Sequence, residues 1–180
     1  AAAATWKRYV ELVPADRAAR CLYGSVLLAL DRPRLAAIEL RSGSQGNDDV
    51  VCLHDFADAL GRIGEPTQAL AMLDRLVAID PGNAHAHYLR AYILVDAPGD
   101  DRGNPLTRAM SAIDASVKAK PKRAAAHHLR GYILARLRRA NEALTAYQRA
   151  FDLEPKNAAY SEAVAVARVR AGEGRRVLRQ

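Results

Sequence analysis

Residues 124–157 read AAAHHLRGYILARLRRANEALTAYQRAFDLEPKN. Leu129, Ile133 and Leu137 recur at helical spacing, and Leu144, Tyr147 and Phe151 do so after them, so the stretch holds two amphipathic helices. Gly131 and Ala143, 12 residues apart, put one small side chain on each helix and let the two backbones approach. A larger side chain there would push the pair apart. Pro155 stops the second helix, because the residue before a proline is pushed out of helical geometry. Asn157 then stands as the N-cap of whatever helix follows.

The same punctuation runs back through the chain. Pro14, Pro81, Pro121 and Pro155 are separated by 67, 40 and 34 residues, multiples of about 34 with one insertion of six. Eight residues before each stands a large side chain: Trp6, Leu73, Ile113 and Tyr147. Twelve before the last three stands an alanine, Ala69, Ala109 or Ala143. Earlier small residues, Gly24, Ala57 and Ala91, precede the second helices as Gly131 does. Pro33, Pro66 and Pro105 fall where second helices begin, a place that tolerates proline because its N–H has no intrahelical partner. Asp16 and Asn83 are placed as N-caps like Asn157.

A 34-residue period with small–small–large–small–Pro punctuation resembles the tetratricopeptide repeat, and the resemblance covers essentially the whole chain. It departs from the family's pattern where a tryptophan is usual, which is His127 in the last copy and Leu53 in an earlier one, and at Leu76 and Ser116, which replace Ala150. The resemblance implies an all-α fold: a right-handed α-solenoid of stacked helix-turn-helix repeats. Residues 1–13 read as the second helix of an incomplete repeat; 17–49, 50–83, 84–123 and 124–157 as four repeats; 158–171 as a closing helix ended by Gly172-Glu173-Gly174; and 172–180 as a basic tail, with Arg175, Arg176 and Arg179 available to cap the array. Because the sequence starts and stops in mid-repeat, we expect it to be a piece of a longer protein. Two stretches interrupt the pattern. Arg41–Asp49 has the composition of a flexible polar loop, and Asp96–Asn104 is an insertion. Asp96, Asp100 and Asp101 lack the ligand rhythm and closing glutamate of a calcium loop, so a solvated loop is expected.

Composition narrows the function. The chain has 180 residues, half of them apolar and a quarter charged, which excludes intrinsic disorder. Its longest apolar stretch, about Cys21 to Leu30, is too short to span a bilayer. No basic segment followed by an apolar run opens the sequence, although a leader already removed would leave no trace. The compartment is left open between cytoplasm and periplasm. The +7 net charge is unevenly placed: residues 1–116 sum to −3 and residues 117–180 to +10. Such asymmetry steers anionic partners.

No sequence motif carries catalysis. GxSxG, HExxH, the phosphate-cradling GxxxxGK and a glycine-rich dinucleotide turn are all missing, and the expectation is no enzyme and no cofactor. Cys52, His54 and Asp55 are close in sequence, but residues two apart on a helix point away from each other. Cys21 and Cys52 fall on first helices of adjacent repeats, which permits a disulfide; free, buried thiols are the expectation. None of His54, His85, His87, His127 and His128 has the three- or four-residue spacing of a helical metal pair, so no metal site is expected, although His87 and His127 occupy equivalent places in neighbouring repeats.

Domains of the resembled family bind extended or helical peptides on a concave face lined by first helices. Carried over, that face would present His54, Asp55, Asp58 and Arg62, then His85, Tyr88, Leu89 and Tyr92, then His128, Leu129, Tyr132 and Arg136. Residues 86–94 (AHYLRAYIL) nearly repeat as 126–134 (AHHLRGYIL), which puts Tyr92 four residues after Tyr88 and Tyr132 four after His128, on shared helix faces. Tyrosines there are either ligand anchors or fillers between repeats. The basic and asparagine clamp by which some relatives hold a peptide's terminal carboxylate is missing, so an internal peptide segment or a helix is the expected ligand. Lys118, Lys120, Lys122, Arg123, Arg138 and Arg139, with Arg136, form a basic patch. It reads as a solvated surface, or alternatively as a site for an acidic protein, a nucleic acid or another polyanion. The preferred function is a protein-interaction module within a larger bacterial assembly such as secretion, pilus or polysaccharide export. Self-association through the unfinished array ends, as a homo-oligomeric scaffold, is the alternative.

Overall fold

The computed structural model describes residues 2–97 and 103–177, with side chains to residue 172. Asp100, Asp101 and Arg179, and the side chains of Arg175 and Arg176, lie outside the described residues. The described residues form ten α-helices and no β-strand, an all-α helical-repeat fold of the solenoid class. The helices group into two compact units, Ala1–Gly82 and Asn83–Gln180.

The first unit holds α1 (Ala2–Leu12), α2 (Arg17–Ala29), α3 (Pro33–Gly43), α4 (Val50–Arg62) and α5 (Pro66–Ile79). Pro33 and Pro66 open α3 and α5. Asp16 caps α2, its carboxylate accepting from the Ala19 N–H at 2.9 Å, and Asp49 caps α4 through the Cys52 N–H at 2.7 Å. Leu40, Leu53, Leu60, Leu73 and Leu76 are buried between the helices. Each such side chain contributes about 1.5–3 kcal/mol on leaving water.

Two features of this unit correct the sequence reading. Cys21 and Cys52 are not free thiols but a disulfide, with Cα atoms 5.3 Å apart. They sit on α2 and α4, which pack side by side, and Gly43 leaves room for the bond: a Cβ on Gly43 would lie 2.6 Å from the Cys21 sulfur. The stretch Arg41–Asp49 is not simply a flexible loop. Its first three residues finish α3, and Arg75 clamps the rest, donating to the Ser44 carbonyl at 3.1 Å, the Asn47 carbonyl at 2.9 Å and the Asp48 carboxylate. An arginine's five donors in a fixed fork suit this multiple capture of a turn.

The second unit holds α6 (Ala84–Asp96), α7 (Pro105–Ala119), α8 (Ala124–Arg136), α9 (Ala140–Leu153) and α10 (Ala158–Val177). Asn83 caps α6 and Asn157 caps α10 through side-chain oxygens. Ser116, one of the departures from the repeat pattern, is fully buried and donates to the Ala84 carbonyl at 2.7 Å. The hydroxyl is itself satisfied by that bond, which ties α7 to the first turn of α6 and lets a polar side chain stand where the pattern has alanine. The closing helix does not end at Gly172-Glu173-Gly174 but continues to Val177. Glycine in a helix costs about 1 kcal/mol, which weakens α10 there without the steric block a proline would impose.

Candidate functional site

On α4, the expected acidic stretch of the binding face is engaged within its own unit. Asp55 accepts from the Ser25 hydroxyl of α2 and sits 2.9 Å from His54 Nδ1. Burial pushes the Asp55 carboxyl up, but the His54 and Ser25 hydrogen bonds with the histidine's charge outweigh it and hold the group below the usual aspartate range. Asp58 pairs with Arg62 one turn on at 3.0 Å, and Arg62 also reaches Asp31 at 3.5 Å. The Cys52 sulfur is committed to the disulfide, which removes it as a nucleophile.

On α6, His85 is exposed and lies nearly parallel to the Tyr88 ring at 6.2 Å. Tyr88 is half-buried beneath the Arg123 guanidinium, which stands 4.2 Å above its ring. Burial raises the Tyr88 phenol, Arg123 opposes that rise, and the net shift is upward. Leu89 is half-buried, whereas Tyr92 is 61 % exposed.

On α8 the four expected residues divide. Leu129 is 7 % exposed and belongs to the core, a correction to its placement on a binding face. His128 is half-buried between aromatic rings, 5.3 Å from Tyr147 and 5.0 Å from Tyr160, and that burial holds its imidazole below the ordinary range. It packs α8 against α9 and α10 rather than facing solvent. Tyr132 is 40 % exposed, and Arg136 donates to its hydroxyl at 3.3 Å and to Asp96 at 3.4 Å. Because α6 and α8 touch, Tyr92 and Tyr132 are exposed aromatic side chains on neighbouring first helices.

The basic patch is also thinner than its sequence. Lys118, Lys120 and Lys122 are exposed, but Arg123 covers Tyr88 and Arg139 makes two 2.7 Å hydrogen bonds to the Glu142 carboxylate. Arg138 is exposed in a left-handed turn, at φ 62°. The His87 side chain is buried and His127 donates from Nε2 to the Pro121 carbonyl at 2.8 Å. Among the described residues no three potential metal ligands come together, and no helix is long and apolar enough to cross a membrane.

One feature was not anticipated. A cleft of about 890 Å³ opens between α8, α9 and α10, walled by alanines and rimmed by Arg136, Arg138 and Arg170. Its sequence signal lies in the 34-residue period, which sets Ala163 and Ala167 at the places of Leu129 and Ile133.

Comparison with known proteins agrees with this geometry. Residues 124–157 match one tetratricopeptide-repeat family model and residues 54–99 match another. Among solved structures, MamA from Desulfovibrio magneticus RS-1 superposes with a TM-score of 0.76 at 20% identity, covering 91% of this chain and 90% of that one. YrrB, described as a TPR protein with an unusual peptide-binding site, gives 0.74 at 21% identity, covering 90% and 81%. TTC0263, a thermophilic TPR protein of Thermus thermophilus, gives 0.69 at 23% identity, covering 87% and 83%. No curated protein sequence matches.

Proposed function

Because the chain carries tetratricopeptide repeats, we propose that it is a non-catalytic module that binds a peptide or helix segment of another protein on the first helices of those repeats. The observation that carries this reading is the pair Tyr92 and Tyr132, large apolar rings left open to solvent on adjacent first helices of one compact unit. A ring with a polar tip offers wide contact at low entropic cost, which is why tyrosine is enriched among residues that dominate binding energy. Arg136, already bonded to the Tyr132 hydroxyl, adds a charged donor beside that ring. His85, Tyr88 and Leu89 flank the same face of α6. Peptide binding by YrrB, a protein of similar fold, is in keeping with this use of the architecture. The setting we infer is a larger bacterial assembly, on the resemblance of this Ala/Arg-rich array to repeat modules of such machinery.

The test compares capture of proteins from the source organism by the wild-type chain and by a Tyr92→Ala/Tyr132→Ala variant, read by quantitative mass spectrometry. The reading expects specific partners to be lost from the variant while helix content and melting stay unchanged. Equal capture by both overturns it, and so does unfolding of the variant, which would assign the tyrosines to the core.

A further inference from the structure

The cleft between α8, α9 and α10 is the place where the repeat pattern lapses. On α8 the equivalent positions are Leu129 and Ile133, both buried; on α10 they are Ala163 and Ala167, each shorter by three carbons. Replacing a buried Leu or Ile by Ala costs about 2–5 kcal/mol where the site cannot collapse. Here α10 leaves the space open instead, with Tyr147 at its floor. Small walls let a guest backbone come close, and the apolar floor favours a large side chain entering from outside.

The rim carries charge of one dominant sign. Arg136, Arg138 and Arg170 line it, against a single carboxylate, Glu162. Among the described residues, Arg138 and Arg170 have no carboxylate within ion-pair distance, and Arg136 holds only the exposed Asp96 at 3.4 Å. Arg170 lies close enough to Tyr147 that its charge opposes the rise that burial causes in the phenol. Arg138 holds a left-handed conformation at the turn position that Gly64 fills in the second repeat. Glycine would hold that conformation without strain, so the turn itself gives no reason for a long side chain there.

We propose that this cleft receives an acidic segment of the partner protein, a large apolar side chain entering against Tyr147 between Ala163 and Ala167 while flanking carboxylates meet Arg136, Arg138 and Arg170. Guanidinium groups suit this task because they bind carboxylates through paired, charge-assisted hydrogen bonds. The proposal rests on the reading that the chain binds a protein segment, and it specifies the chemistry and seat of that segment. The exposed pair Tyr92 and Tyr132 is outside the cleft, so the two sites can be tested separately.

The probe is a fluorescein-labelled nonapeptide of aspartates and glutamates around a central Leu-Phe pair, followed by fluorescence anisotropy with the full chain. Controls carry Asn and Gln for the acids, or Gly-Gly for Leu-Phe. Binding by the probe is expected to weaken at least tenfold for each control and to fall with added salt. The variant Ala163→Leu/Ala167→Ile, which restores the pattern of α8, should melt higher than wild type and bind at least tenfold more weakly. Arg138→Gln/Arg170→Gln, which spares the Arg136 that touches Tyr132, should weaken binding severalfold and flatten its salt dependence. No binding by the probe, equal binding by the amide control, or displacement by heparin with no preference for the Leu-Phe pair overturns the proposal. So does a filled cleft that melts higher yet binds as before. Should the filled variant fail to fold, unchanged affinity in the double arginine variant overturns it instead. Loss of the probe in Tyr92→Ala/Tyr132→Ala alone would retain the first-helix reading and reject the cleft. Loss in the cleft variants alone would do the reverse.

Discussion

The ring of Tyr147 occupies the space that a side chain on residue 131 would need: a Cβ built on Gly131 lies 2.7 Å from the nearest ring carbon. The relation recurs in the first repeat, where a Cβ on Gly24 would lie 2.4 Å from Leu40 Cγ. These two hairpins therefore close by seating a large residue of the second helix on a small residue of the first. Gly131→Val should lower stability by about 2 kcal/mol, because overpacking costs about 1–3 kcal/mol and exceeds what helix propensity returns. Tyr147→Leu, which copies Leu40, should recover much of the loss when combined with it. Urea midpoints of the single and double variants check both statements, and a double variant no better than the single rejects the seating.

The hairpins are legible in the sequence because their signals act over a few residues. Pro33, Pro66 and Pro105 start helices, and Asp16, Asn83 and Asn157 cap them, all within one turn. The bond between Cys21 and Cys52 is not legible this way, since it depends on α2 and α4 lying together and on the space left by Gly43. Tyr88 is a similar case: its half-burial comes from Arg123, 35 residues on, and no local pattern announces that contact. His128 and Leu129 share a helix face with Tyr132 only approximately, and the packing of α9 and α10 draws the first two inward. The alanine-walled cleft was within reach of the sequence, through a comparison of Ala163 and Ala167 with residues 34 positions earlier.

The disulfide closes a loop between residues 31 apart, so it restricts the unfolded chain more than the folded one. On the loop-entropy scale that constraint is worth about 3–4 kcal/mol. Mass spectrometry after iodoacetamide treatment of the denatured, unreduced chain should find no labelled cysteine. Reduction, or Cys21→Ala/Cys52→Ala, should lower the melting temperature by several degrees. Two labelled cysteines without reductant would reject the bond.

Acid should weaken the two units in different pH ranges. His128 has its imidazole held below the ordinary value by burial, so the fold prefers the neutral ring. That contribution is complete above the unfolded value of about 6.5 and is lost as pH falls from there toward the folded value. Asp55 is held below the aspartate range despite burial, so its contribution is complete above about 4 and is lost only below that. Urea midpoints should therefore fall less between pH 7 and pH 5 for His128→Phe than for wild type. Asp55→Asn should flatten the decline below about pH 4. Parallel curves for wild type and variant in either range would contradict the assignment for that residue.

Asp31, Gly64 and Arg138 occupy one turn position in three repeats, and all three are left-handed, at φ 54°, 82° and 62°. Each donates its N–H to the carbonyl three residues back, at 3.0, 3.2 and 3.1 Å, so the turn dictates the conformation. Glycine adopts it without steric cost, aspartate tolerates it, and for arginine it costs about 1–2 kcal/mol. Against this stands the greater freedom glycine has in the unfolded chain, worth about 0.5–1 kcal/mol. Arg138→Gly should therefore raise stability by up to about 1 kcal/mol, and Gly64→Arg should lower it by a similar amount. If the arginine is kept for the cleft it borders, Arg138→Gly should also bind the acidic probe more weakly than wild type. A variant that is more stable and binds equally well would leave the strain real and remove Arg138 from the site.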